Sequence, residues 1–81
     1  MSRVEVRVPK LGLTMTEAAV LELSKAVGDV VAASETIAVI ETEKITAEVE
    51  APVAGTIVAI LAEEEETYPV GELLAVIEAE G

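Results

Sequence analysis

Glu35-Thr36-Ile37-Ala38-Val39-Ile40-Glu41 returns as Glu72-Leu73-Leu74-Ala75-Val76-Ile77-Glu78, five identities in seven at an offset of 37. At the same offset Ala18-Ala19-Val20-Leu21 lies over Gly55-Thr56-Ile57-Val58, and Leu23 over Ile60. A unit of 37 residues cannot enclose a core by itself, so the two copies must bury their apolar faces against one another. The Thr and Val alternation of the first copy reads as a strand, and the repeat carries that assignment to its echo. It does so although Ile57–Glu66 and Glu72–Glu80 are rich in the helix formers Ala, Leu and Glu.

Period-two alternation also marks Arg3–Val8, with valines on one face and charges on the other. Further strands are expected over Ala18–Ser24, Thr36–Thr42, Ile45–Glu50, Gly55–Leu61 and Leu73–Glu78. Turn signals stand between them at Gly28-Asp29, Ala51-Pro52, Tyr68-Pro69 and Gly71. Short strands with regular punctuation predict an all-β sandwich or barrel, and 81 residues make a single domain, 1–81. Val39 and Val76 hold matching places and are expected in the shared core. The counterpart of Lys44 is Gly81, so a pseudo-twofold would set the Lys44 turn at the end opposite the termini.

The chain is 52% apolar, with 19 Val and Ile and a single aromatic, Tyr68, so small branched side chains must fill its core. Sixteen acidic residues against five basic ones give a net charge of −11. That balance opposes nucleic-acid binding, which needs Lys or Arg at each phosphate, and favours partners with basic faces. Without Cys or His there is no disulfide, thiolate, zinc site or Ser–His or Cys–His triad, and a self-contained enzyme is not expected. The longest uncharged stretch, Ala51–Ala62, contains Pro52 and Gly55 and is 12 residues long, short of the roughly 20 that a membrane-spanning helix needs. The opening MSRVEVRVPK lacks the apolar run of a secretory signal, and a cytoplasmic chain is expected.

One short segment points to chemistry. Thr36–Thr42 and Ile45–Glu50 are separated only by Glu43-Lys44, the spacing of a two-residue hairpin. Glu-Lys suits a type I turn, which most residues can enter, better than the primed turns that favour Asn-Gly. Turn lysines are ordinarily solvated and nothing more. Lys44, however, is one of three lysines and stands at the tip among Glu41, Glu43, Glu48 and Glu50. A single protruding amine on an acidic hairpin suits covalent attachment.

VPKLGLTMTEA at 8–18, VGDVV at 27–31, IETEKITAEVEAP at 40–52 and PVGELLAVI at 69–77 together resemble the lipoyl domains of 2-oxoacid dehydrogenase complexes. The resemblance runs in order over nearly the whole chain. It implies a flattened barrel or sandwich of two antiparallel four-stranded sheets related by a pseudo-twofold. It also implies lipoate, amide-linked to Lys44 within ETEK, with Glu43 and Ile45 flanking it in the turn. The implied role is a carrier, not a catalyst, within a dihydrolipoyl acyltransferase. A lipoate-protein ligase or a lipoyl/octanoyl transferase would load the lysine. A thiamin-dependent 2-oxoacid decarboxylase would acylate the arm, the acyltransferase core would pass the acyl group to coenzyme A, and dihydrolipoyl dehydrogenase would reoxidise the dithiol. The resemblance places the 12–17 loop beside the modified hairpin, which makes Leu13, Thr14 and Glu17, with Glu41, candidate partner contacts. Biotinyl domains share this fold but flank their lysine with methionines, where this chain has Glu43 and Ile45. Glycine-cleavage carriers are longer, and an unmodified barrel-sandwich module of the efflux-fusion kind has no need of ETEK. Ala18, Ser34 and Glu65 stand near places where the family often has glycine.

Other features read as structural. Glu63–Glu66 lacks the spaced Asp/Asn and Gly of a calcium loop and is read as a solvated run, with no metal. The 12–17 loop is expected to anchor Leu11 or Leu13 in the core, and Lys10 and Lys25 are expected to be solvated.

Overall fold

The alternation in the chain resolves into eight strands in the computed structural model, which describes residues 2–80. They are β1 (Arg3–Arg7), β2 (Glu17–Leu23), β3 (Val30–Val31), β4 (Thr36–Glu41), β5 (Thr46–Glu50), β6 (Gly55–Ile60), β7 (Thr67–Pro69) and β8 (Leu73–Ala79). No helix occurs among the described residues, so the Ala/Leu/Glu-rich segments follow the repeat and not their intrinsic preference. The strands form two four-stranded antiparallel sheets, in the orders β1-β8-β6-β3 and β5-β4-β2-β7, stacked as a flattened sandwich and not closed into a barrel.

An offset of 37 residues carries β4 to β8, β2 to β6 and β3 to β7, exchanging the two sheets, with β5 and β1 filling the remaining edge place. The backbone hydrogen bonds follow the same rule. Val20 N–H donates to Glu66 O and Ile57 N–H to Asp29 O, both at 2.9 Å. Ser24 N–H reaches Ile37 O at 3.0 Å as Leu61 N–H reaches Leu74 O at 2.8 Å. Ala19 pairs with Glu41 and Glu41 with Thr46 at one end of the molecule, while 54–56 and 78–80 gather at the other, where Ala79 N–H donates to Ser2 O. Gly81, the expected counterpart of Lys44, lies outside the described residues.

Ile40, Ile57, Ile77, Val20 and Val31 are the largest fully buried side chains, so the core is made of branched aliphatics from both repeats. Val39 and Val76 are not among them; both are half-buried, and the neighbours Ile40 and Ile77 take the interior. The cause is a bulge in each repeat. Ile37 is left unpaired between Thr36↔Glu50 and Ala38↔Val49, and Leu74 between Arg7↔Leu73 and Val6↔Ala75. Two successive residues therefore face inward, Ile37 with Ala38 and Leu74 with Ala75, and the alternation beyond them is reversed.

Two strands lie where turns are expected. β7 spans the Tyr68-Pro69 signal on the outer edge of its sheet, where proline withdraws no needed donor. β3 has only two residues, directly after the Gly28-Asp29 turn. Left-handed backbone occurs at Gly28 (φ 98°) and its repeat partner Glu65 (φ 70°), and at Ser34 (φ 71°) and its partner Gly71 (φ 90°). Gly55 answers a different need, since a Cβ there would lie 2.2 Å from the Glu78 carbonyl oxygen. Its counterpart Ala18 is buried with room for one methyl group.

Candidate functional site

The tip of the β4–β5 hairpin is held by Thr42. Its N–H donates to Ile45 O at 2.8 Å, and its Oγ1 accepts from Lys44 N–H at 3.3 Å and Ile45 N–H at 3.2 Å. The same hydroxyl lies 3.4 Å from Ile45 O, to which it donates. A threonine hydroxyl thus does inside the turn what a backbone carbonyl would otherwise do. Neither Glu43 nor Lys44 has a positive φ, which excludes the primed turns and agrees with the expected type I geometry. Lys44 is exposed at the apex. Sequence reasoning overlooked Thr42, although a Ser/Thr two residues before an apical residue is a recognisable turn signal.

The 8–16 connection runs beside this tip. Neither Leu11 nor Leu13 anchors it in the core: Leu11 is 41% exposed and Leu13 is 95% exposed. Met15 does so instead, packing against the core cluster while its N–H donates to Gly12 O at 3.2 Å and its sulfur accepts from Leu11 N–H at 3.2 Å. An unbranched thioether fills irregular gaps that a branched side chain would not.

Loop and hairpin enclose an open groove. Of the residues singled out from sequence, Lys44, Glu43, Ile45, Glu41, Thr14 and Glu17 all line it. Leu13 does not; it projects from the loop into solvent. Leu11, Met15 and Ala19 add apolar surface that sequence reasoning had not assigned to the site.

The acidic surroundings of Lys44 are narrower than expected. Glu48 and Glu50 belong to the far part of the hairpin, where Glu48 accepts from Thr36 Oγ1 at 3.1 Å and Glu50 pairs with Thr36. Glu41, Glu43 and Glu17 remain beside the lysine. Ion pairs among the described residues join Arg7 to Glu5 and Lys25 to Glu35, and Lys44 joins neither. Lys25 is therefore engaged and not simply solvated. Its hydrogen bond to Glu35 raises the lysine pKa and holds the Glu35 carboxyl below the usual range, with help from the Ala32 N–H. In the Glu63–Glu66 run, Glu64 Oε2 accepts from Leu23 N–H at 2.9 Å, and Tyr68 Oη accepts from Glu63 N–H at 2.8 Å. No cluster suited to a metal ion occurs among the described residues.

This arrangement defines a class: a β-sandwich that presents an exposed lysine amine, in no ion pair, at the apex of a hydrogen-bonded turn. The comparisons agree. A family model described as "Biotin-requiring enzyme" matches residues 4–77. The dihydrolipoyllysine-residue acetyltransferase component of the pyruvate dehydrogenase complex of Corynebacterium glutamicum is 44% identical over 71 residues, 88% of this chain and 10% of that protein. The dihydrolipoyllysine-residue succinyltransferase component of the 2-oxoglutarate dehydrogenase complex of Bartonella vinsonii subsp. berkhoffii is 45% identical over 75 residues, 93% of this chain and 18% of that protein. The chain thus spans between a tenth and a fifth of the length of these curated relatives. The solution structure of the lipoyl domain of the 2-oxoglutarate dehydrogenase complex from Azotobacter vinelandii has a TM-score of 0.79 at 31% identity, covering 96% of this chain and 99% of that one. The urea carboxylase of Kluyveromyces lactis contains the same fold at 24% identity, with a TM-score of 0.81 over 96% of this chain and 6% of that one. The chain belongs to the biotinyl/lipoyl attachment family and is a lipoyl domain. The lipoyl reading is favoured over the biotinyl one.

Proposed function

We propose that this domain carries lipoate in amide linkage on Lys44 and serves as the mobile carrier of a 2-oxoacid dehydrogenase complex, as part of a dihydrolipoyl acyltransferase. The observation that carries the reading is the tip itself. An exposed amine, free of ion pairs, stands on a turn that Thr42 fixes through three side-chain hydrogen bonds. The Lys44 amine fits the group, because forming the amide requires a nucleophilic nitrogen that another enzyme's active site can reach. When bound, the group supplies a dithiolane that accepts an acyl group and two electrons.

The chain's own contribution is presentation. Tethering makes each encounter with a partner active site quasi-intramolecular, which raises the effective concentration of the carried group. A rigid sandwich limits the motion to the lysine side chain and what it bears. Amidation removes the lysine charge, so Glu17, Glu41 and Glu43 leave the loaded tip more acidic than the empty one. Such a tip suits the basic clefts of a thiamin-dependent decarboxylase, an acyltransferase core and a dihydrolipoyl dehydrogenase.

Intact mass before and after treatment with lipoate, ATP and a lipoate ligase tests the reading. One lipoyl adduct is expected, mapped to Lys44 and absent from Lys44→Arg, whose circular dichroism matches that of the wild type. An adduct on Lys10 or Lys25, or modification by a biotin ligase in preference, would overturn it.

A further inference from the structure

We infer that the groove between the 8–16 connection and the hairpin tip is a resting seat for the arm carried on Lys44; the inference rests on the lipoyl reading of that lysine. The internal symmetry of the molecule singles the groove out. The connection from β5 to β6 takes four residues, 51–54, whereas its counterpart from β1 to β2 takes nine, 8–16. The two connections are otherwise equivalent, and the longer one lies beside the lysine. The added length therefore builds a wall that the opposite end of the molecule lacks.

That wall is pre-formed. Met15 ties it to the core, and the Leu11 N–H to Met15 Sδ contact and the Met15 N–H to Gly12 O bond fix its path. Its surface toward the groove, with the facing strands, is apolar at Leu11, Met15, Ala19 and Ile45. Lys44 lines the same groove, so an occupant joined to that lysine is already at its mouth. The chemistry matches as well. An amide-linked arm is uncharged, mostly hydrocarbon, and ends in a polarisable disulfide ring, which suits aliphatic and thioether surface. The carboxylates of Glu17, Glu41 and Glu43 at the rim disfavour a thiolate, so the seat suits the arm in its uncharged forms, the disulfide ring among them.

The test uses lipoylated domain, with the adduct first located by peptide mapping. A neutral phosphine in high salt reduces the dithiolane at a rate compared with that of free lipoamide, and proton NMR follows the Met15 Sδ-methyl group. The rate is expected to be about threefold below that of free lipoamide, as for an arm seated roughly two-thirds of the time. The Met15 methyl should show Overhauser contacts to the ring. In Leu11→Ser, which alters a partly exposed residue and adds no charge, the rate should return to that of lipoamide. An adduct on Lys44 that is reduced as fast as lipoamide, with the Met15 methyl unmoved, overturns the seat and leaves the carrier reading intact. Equal slowing in wild type and Leu11→Ser also overturns the seat. Failure to form any adduct on Lys44 overturns the carrier reading and the seat together.

Discussion

Thr42 and Ala79 stand 37 residues apart and make the same bond: Thr42 N–H donates to Ile45 O, and Ala79 N–H to Ser2 O, each at 2.8 Å. In one half that bond closes a hairpin; in the other it clasps the start of β1 to the end of β8. The hairpin that bears Lys44 is thus the covalent version of a junction the fold makes twice. The sheet places the hairpin, and the Thr42 hydroxyl then fixes the turn that bears the lysine.

The position of the amine should therefore matter more to an attaching enzyme than the charge around it. Exchanging the apical pair, Glu43→Lys with Lys44→Glu, keeps composition, net charge and loop length. It moves the amine one residue along the turn and away from the apex. Lipoylation should fall severely while circular dichroism stays unchanged, as a time course of intact mass will show. Equal rates for the exchanged pair and the wild type would remove the basis for the carrier assignment.

Core truncations should separate the faces of the two repeats. Ile40→Ala and Ile77→Ala are expected to lose about 2–5 kcal/mol, most of the roughly 3–5 kcal/mol available to a domain this small. They are best measured by urea titration in stabilising sulfate. Val39→Ala and Val76→Ala, at half-buried positions, should lose about 1 kcal/mol or less.

The left-handed residues offer a stabilising change. Glu65 holds a conformation that its partner Gly28 adopts without a Cβ. Glu65→Gly should raise stability by up to about 1 kcal/mol, the relief of strain exceeding the added chain entropy. Gly28→Ala should lower it by about 1 kcal/mol or more. Thermal melts of both variants check the opposite signs.

The Lys25–Glu35 pair should leave a signature in pH. Glu35 has a lowered pKa, so its contribution is present above 4.5 and is lost as the pH falls through the lower folded value. Lys25 has a raised pKa, so its contribution is present below 10.5 and is lost as the pH rises through the higher folded value. The stability difference between wild type and Glu35→Gln should be flat between these limits and shrink beyond each of them, as denaturant titrations at a series of pH values will show.

The repeat made the mutual packing of the two halves legible, because a pattern that occurs twice constrains how its copies pack; the division into two four-stranded sheets was legible only through the resemblance to lipoyl domains. The hairpin tip was legible because its spacing and its lysine are local, while the reading of ETEK as an attachment motif came from the resemblance. The burial of Ile40 in place of Val39 was not. It depends on the bulge at Ile37, which is a property of pairing with β5 and leaves no mark in the alternation of β4 alone. β3 and β7 escaped because strands of two and three residues carry no period, and Pro69 reads as a turn until its place on a sheet edge is known. Met15 displaced Leu11 and Leu13 as the loop anchor for a similar reason: hydrophobicity ranks the three alike, and only the path of the connection decides among them.

The clasp between Ser2 and Ala79 also bears on how the molecule is made. The β4–β5 hairpin closes a loop of two residues and can form as soon as Glu50 is synthesised. The equivalent pairing of β1 with β8 joins Arg3 to Glu78 across almost the entire chain. On a ribosome, β1 must wait unpaired until the last strand emerges, and its alternating charges keep that waiting edge from recruiting a neighbour. The segment that bears the lysine is thus expected among the first to take shape, and the sheet opposite it to be completed last.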